Sequence, residues 1–204
     1  MNSKVSRRGL LAAGLTVFAA PAWAAAPQLS AENQILIERG RYCLRLLTSA
    51  MGRFSQTDPA GRVSTGTFYL HRPGRARFDY DPPSGLVLAS NGYRVAVLDR
   101  RLHTFNAYPL FATPLGVLLS RDIRIDEHVE IGSVRRTPGG FEIIAWAAAH
   151  KGQGSIALEF RDPPLSLAGW RITDPQGGVT RVTLIDFGPS KPMPNRFFDL
   201  TPES

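Results

Sequence analysis

Between residues 48 and 108 apolar and polar positions alternate with a period of two, broken by turn signals, which predicts a run of antiparallel strands. Along 48–56, Ala50, Gly52, Phe54 and Gln56 share one face, and Asp58-Pro59-Ala60-Gly61 turns the chain. Along 67–72, Phe68, Leu70 and Arg72 share one face and Thr67, Tyr69 and His71 the other, so a guanidinium sits on an apolar face. Pro73-Gly74 makes the next turn. The strand after it sets Ala76, Phe78 and Tyr80 against Arg75, Arg77, Asp79 and Asp81, until Pro82-Pro83 ends it. Leu86, Val87, Leu88 and Ala89 form a further strand, Asn91-Gly92 is the strongest hairpin signal in the chain, and 93–98, with Val95 and Val97, returns antiparallel. Residues 102–108 follow after Arg100-Arg101.

Two stretches change the period. Over 30–47 the spacing is helical: Ile35, Leu36, Cys43, Leu44 and Leu47 are expected to make one apolar stripe, with Ser30 as N-cap and Gly40 as a weak point. Over 110–120, Thr113 is the expected N-cap and Pro114 takes the first helical position. Leu115, Val117, Leu118 and Leu119 then make a short helix that is apolar nearly all round and needs a cover. Ile123 and Ile125 alternate weakly. After them 129–135, 141–147, 155–160, 167–173 and 179–187 read as strands separated by Gly- and Pro-rich turns. Short turns without long helical crossovers make the fold mainly β, an antiparallel meander of about eleven strands. So many strands in one domain do not stay flat, so strong twist or partial barrel closure is expected.

Composition matters most at the N-terminus. The 204 residues, 43% of them hydrophobic, suffice for one domain with a proper core. Residues 1–24 stand apart: Lys4, Arg7 and Arg8 precede the apolar run 10–20, and Ala22-Trp23-Ala24 supplies small residues for cleavage between 24 and 26. That is the layout of a signal peptide, leaving a single domain over 28–204 exported to the periplasm. Ser6-Arg7-Arg8-Gly9-Leu10-Leu11 also fits the twin-arginine pattern, so both that route and the general secretory route stay open. The apolar run is too short to span a bilayer, and no lipobox cysteine lies near the cleavage region, so a soluble mature chain is expected. Removing Lys4, Arg7 and Arg8 takes the net charge from +7 to +4. That mild basicity fits anionic headgroups, an acidic partner or a solvated surface, and does not argue for nucleic acid. Cys43 is the lone cysteine, so no intramolecular disulfide forms and a buried structural thiol is expected.

Catalytic sets are not evident. His71, His103, His128 and His150 lack ligand spacing, and no nucleophile elbow, phosphate loop or dinucleotide fingerprint occurs. Asp79 and Asp81 alternate with arginines on what reads as a solvated face. The expectation is therefore a protein that is not an enzyme, with no catalytic residue, metal site or cofactor. What remains is an apolar sheet face, Phe68, Leu70, Phe78, Tyr80, Leu86, Leu88, Val95 and Val97, which is either a close-packed core or the wall of a cavity. Arg72 on that face either finds acceptors inside or snorkels to solvent from the strand end.

The order Gly66-Thr67-Phe68-Tyr69, Arg72-Pro73, an aromatic strand, a hydrophobic run ending in Asn91-Gly92, and later Thr113-Pro114-Leu115 with leucines resembles the periplasmic outer-membrane lipoprotein carrier family, LolA. The resemblance covers 46–202 and is strongest over 66–119. It implies an incomplete, strongly curved barrel with an N-terminal helix and short lid helices over an apolar cavity. Phe54, Phe68, Leu70, Phe78, Tyr80, Leu86, Leu88, Val95 and Val97 would then hold lipoprotein acyl chains. Arg72 would latch the empty form by hydrogen-bonding lid carbonyls, and Pro114, Leu115, Leu118 and Leu119 would belong to the lid helix. The implied partners are acylated lipoproteins and an inner-membrane lipoprotein-releasing transporter, with an outer-membrane acceptor left open; the implied state is a monomer. Asn195-Arg196-Phe197-Phe198-Asp199-Leu200 resembles the family's final strand, with no C-terminal extension after it. Ala76 stands where the family has a bulky apolar residue, and Ala96 and Leu98 where it has aromatics, so a wider or reshaped pocket is expected. The competing readings are a lipid or lipoprotein sensor of the same fold, akin to anti-sigma-factor-binding proteins, or a phospholipid or glycolipid transport protein. Such sensors carry a second domain, for which this chain leaves no room.

Overall fold

In the computed structural model, residues 29–121, 129–147, 152 and 154–202 are described. The expected signal segment and the pair Ile123 and Ile125 lie outside them. Eleven strands form where the alternation places them. The first meander is β1 (Ser49–Thr57), β2 (Val63–His71), β3 (Arg75–Tyr80), β4 (Leu86–Asn91), β5 (Arg94–Asp99) and β6 (Thr104–Pro109). The second is β7 (Val129–Thr137), β8 (Gly140–Ala147), β9 (Ser155–Arg161), β10 (Ser166–Thr173) and β11 (Val179–Pro189). Pairing of β1 with β11 joins them into one antiparallel sheet that ends in β6 on one side and β7 on the other, and does not close.

The curl of this sheet can be read from two side chains. Phe68 on β2 and Trp170 on β10 are three strand spacings apart along the sheet, roughly 14 Å. Their rings nevertheless lie 5.4 Å apart, so the sheet bends back until its two halves touch. The inner face so made holds the main core and both helices.

Helix α1 (Ala31–Leu46) starts at Ser30, whose Oγ accepts from the Asn33 amide at 3.2 Å. Its buried face is Leu36, Ile37, Gly40, Cys43 and Leu44, whereas Ile35, expected in the stripe, is 61% exposed. The rotation has a cause. A Cβ on Gly40 would lie 2.6 Å from Ile143 Cδ1 and 3.2 Å from Phe160 Cζ, so the glycine is where the helix presses closest to the sheet, not a weak point.

A second small core lies on the outer face, where Val87, Ala89, Ala96 and Leu98 are covered by Leu200. The segment bringing Leu200 there is not a strand: Asn195–Phe198 is a 3-10 turn. Both long edges of β2 and β3 are already paired, so the tail has no ladder to join and crosses the outer face instead. Arg77 donates to the Phe197 carbonyl at 2.9 Å with its guanidinium 4.7 Å over that ring, and Asn91 Nδ2 donates to Asp199 at 3.0 Å. Ala96 and Leu98 therefore point away from the inner face and do not reshape the space there; Ala76 does lie on it, opposite Leu70.

Gly66 is fixed by its surroundings. It sits between Phe54 and Tyr80 in register, and a Cβ there would lie 2.3 Å from the Asp79 carbonyl and 2.6 Å from the Phe54 ring. Gly66→Ala is expected to lower unfolding stability by about 1 to 3 kcal/mol, read as a lower urea midpoint at unchanged slope. A midpoint at or above the parent's would show that Phe54 and β3 yield freely.

Candidate functional site

On the inner face the strand register makes rows: Gly66 beside Tyr80, Phe68 beside Phe78, Leu88 and Val97, and Leu70 beside Ala76, Ser90 and Val95. Phe68 and Phe78 stack at 4.5 Å, Phe54 meets Phe78 and Tyr80 edge-on at 5.4 and 5.1 Å, and Trp170 closes on Phe68 from the other meander. Phe54, Phe68 and Leu70 are wholly buried in this packing. Beyond it is an apolar cavity of about 240 Å³. Phe78, Tyr80, Leu88, Val95 and Val97 line it from one meander, and Trp170, Ile172 and Val182 from the other. Leu86, though on the same face, lines a different cleft at the far end of the hairpins.

The contribution of β10 and β11 is not legible in the sequence. Trp170 and Ile172 alternate onto one face of β10, but nothing local shows that this face curls onto β2 and β3. Gln56 also lines the cavity, and its place in the β1 alternation was the available signal.

A 3-10 turn, Leu110–Ala112, leads into helix α2 (Leu115–Leu119), and the segment from Thr113 to Leu115 closes the cavity. Thr113 does not cap α2. Its hydroxyl donates back to the Leu110 carbonyl at 2.8 Å, finishing the preceding turn, and Pro114 occupies the N-cap position. Pro114 and Leu115 line the cavity, while Leu118 and Leu119 are buried in the main core, where the helix meets β8 and β9.

Arg72 reaches the other end of α2. It is 8% exposed, with Nη1 donating to the Leu44 carbonyl in the last turn of α1 and Nη2 donating to the Ser120 carbonyl, just past α2, at 2.5 Å. Carbonyls at helix C-termini carry the negative end of the helix dipole and keep acceptor capacity, the Leu44 carbonyl even beside the Leu47 amide that it accepts at 3.2 Å, so a guanidinium suits both ends at once. Next to it the Gly74 amide donates to the Leu119 carbonyl at 2.8 Å. The β2–β3 turn is thus tied to the end of α2 by side chain and backbone together. This turn packs on the β4–β5 turn, with Ser90 Oγ donating to the Gly74 carbonyl at 2.7 Å. Beyond them opens a cleft of about 940 Å³ walled partly by Leu119, Val129 and the exposed rings of Tyr93 and Phe111.

Two titrating groups here, Tyr80 and Cys43, are held neutral. Burial pushes the Tyr80 phenol up to about 12, and its hydroxyl donates to Gln56 Oε1 at 2.7 Å. Burial likewise pushes the Cys43 thiol up, which keeps it protonated on the buried face of α1. Among the described residues no three His, Cys, Asp or Glu side chains converge as metal ligands would.

An apolar cavity under a short helix, with a buried arginine joining sheet to helix ends, can exchange helix for ligand. At about 240 Å³ it is below the roughly 300–1,000 Å³ of pockets that hold drug-sized ligands, so a long apolar guest requires α2 to move. The family model for the outer membrane lipoprotein carrier protein LolA matches residues 45–201. An outer-membrane lipoprotein carrier protein of Methylococcus capsulatus is 27% identical over 152 residues, 71% of this chain and 72% of that one. One of Leptothrix cholodnii is 30% identical over 144 residues, 66% of each chain. The crystal structure of a LolA superfamily protein from Nitrosomonas europaea, 11% identical, aligns over 82% of this chain and 97% of that chain with a TM-score of 0.49. With the family model matching most of its length, this chain belongs to the LolA outer membrane lipoprotein carrier family.

Proposed function

We propose that this chain is a periplasmic carrier that takes up the acyl chains of lipoproteins leaving the inner membrane and releases them toward the outer membrane. The observation that carries this reading is Arg72, a buried guanidinium that joins the carbonyl ends of α1 and α2 above an apolar cavity too small for an acyl chain. In the empty carrier these bonds hold α2 down. An entering chain takes the place of α2 against Phe78, Leu88, Val97 and Trp170, and the lid swings away.

The magnitudes agree with a shuttle. Each methylene removed from water is worth roughly 0.8 kcal/mol, so one acyl chain gains on the order of 10 kcal/mol against water. Passage from membrane to cavity exchanges one apolar environment for another and is close to neutral. Closure by hydrogen bonds to a charged donor, about 1.5 to 3 kcal/mol each, is then enough to decide which way the cargo moves. Extraction from the membrane draws its energy from an inner-membrane transporter, and acyl chains are the shared chemistry that both partners and this cavity recognise.

Purified protein mixed with a synthetic triacylated lipopeptide is expected to form a one-to-one complex by native mass spectrometry, and the same peptide without acyl groups is not. Equal binding of both peptides, or of neither, would overturn the carrier reading.

A further inference from the structure

The apolar cavity ends at a partition. Gln56 and Tyr80 line both the cavity of about 240 Å³ and, on their other side, a cleft of about 700 Å³. The two sides differ in chemistry. On the cavity side stand Phe78, Leu88 and Val97, whereas the cleft mixes Val63, Leu86 and Leu102 with Asp58, Arg62, Asp81, Asp99 and Arg101. A hydrocarbon tail crossing the partition would leave an apolar wall for an open one shared with charged groups and water, and would gain much less from each further methylene.

The partition is built, not incidental. The Tyr80 hydroxyl on β3 donates to Gln56 Oε1 on β1 at 2.7 Å, across the intervening strand β2. That bond can form because Gly66, level with Tyr80, has no side chain and Ser64, level with Gln56, has a short one. Phe54 braces the Tyr80 ring edge-on at 5.1 Å. The partition stands at the end of β3 opposite Arg72, and the five residue steps from Arg75 to Tyr80 measure about 17 Å at the usual strand rise.

We propose that the Tyr80–Gln56 pair is the floor of the acyl site and sets the longest hydrocarbon chain the protein accommodates. This rests on the acyl-binding reading above. Entry is from the Arg72 end, where α2 stops and the large cleft carries apolar walls, and the chain end stops against the Tyr80 ring. The hydroxyl bond to Gln56 keeps the ring across the passage.

The test uses saturated fatty acids, from decanoic through lauric, myristic and palmitic to stearic acid, titrated into the purified protein by calorimetry. For the parent, each added methylene is expected to tighten binding about fourfold until the tail reaches the floor, after which affinity levels off. In Tyr80→Ala the levelling is expected at a longer acid, with a gain of about fourfold or more for each methylene beyond the parent's limit. Tyr80→Phe, which keeps the ring and loses the bond to Gln56, serves if the alanine variant does not fold; it is expected to blur the limit by letting the ring swing. The same levelling point in Tyr80→Ala and Tyr80→Phe as in the parent would overturn the floor while leaving acyl binding intact. Failure of the parent to bind any of the acids would instead remove the acyl-binding reading, and the floor with it.

Discussion

Replacing Arg72 with leucine is expected to slow release of bound acyl chains by about tenfold to a hundredfold. The guanidinium donates to the carbonyls of Leu44 and Ser120 while 8% exposed, and the bond to Ser120 exists only with α2 in place. Leucine removes this donor from the Ser120 carbonyl in the closed form, while the Leu44 carbonyl keeps the Leu47 amide. Once α2 has lifted, the Ser120 carbonyl can turn to water, so the penalty falls mainly on the empty state. A loss of about 1.4 to 2.7 kcal/mol from closure, within the usual range for hydrogen bonds to a charged donor, corresponds to that ratio. The measurement is transfer of a fluorescent acylated peptide from loaded protein to acceptor vesicles. Release at the parent's rate would show that Arg72 is a structural arginine that does not govern the lid. Arg72→Lys should behave like the leucine variant more than the parent, because an ammonium lacks the planar fork that spans two carbonyls.

Trp170→Ala is expected to cost about 3 to 5 kcal/mol of folding stability, a large part of the roughly 5 to 15 kcal/mol that a domain of this kind possesses. Trp170 is 1% exposed and joins the two meanders, with its ring 5.4 Å from Phe68 and 6.0 Å from Phe78. Between β2 and β10 the sheet itself offers only the long way round through β1 and β11. The same truncation enlarges the cavity, so an acyl ligand should raise the melting temperature of the variant more than that of the parent. Urea unfolding and ligand-shifted melting check the two halves separately. Parent-like stability would show that the curl survives without the aromatic bridge, and an equal ligand shift would place Trp170 outside the acyl site.

The strands were legible because each is short and alternates in polarity, and most end in a turn marked by proline, with its fixed φ, or by glycine, which alone enters positive φ freely. Arg72-Pro73-Gly74 and Asn91-Gly92 both fall where hairpins turn. What the pattern could not show depends on distant covering segments. Val87, Ala89, Ala96 and Leu98 make β4 and β5 apolar on both faces, which signals two-sided burial. Which face meets the cavity is decided by a tail about a hundred residues later that brings Leu200 over the other one. The phase of α1 differs from the apolar stripe for a related reason. Gly40 carries no apolar signal, yet it marks the line of closest approach, and with it Ile37 turns inward and Ile35 outward. The position of Arg72 on an apolar face was plain from alternation alone. Its acceptors were not, since the Leu44 and Ser120 carbonyls are backbone groups brought together by two helix ends far apart in the chain.

The most direct test is native mass spectrometry of the protein recovered from a periplasm in which it is expressed. A carrier that closes on Arg72 when empty and opens for acyl chains should be found in two forms, the free chain and a one-to-one complex with acylated lipoprotein. Recovery of the free chain alone, with backbone amides of α2 exchanging as slowly as those of β2, would make Leu115, Leu118 and Leu119 permanent core and contradict the carrier.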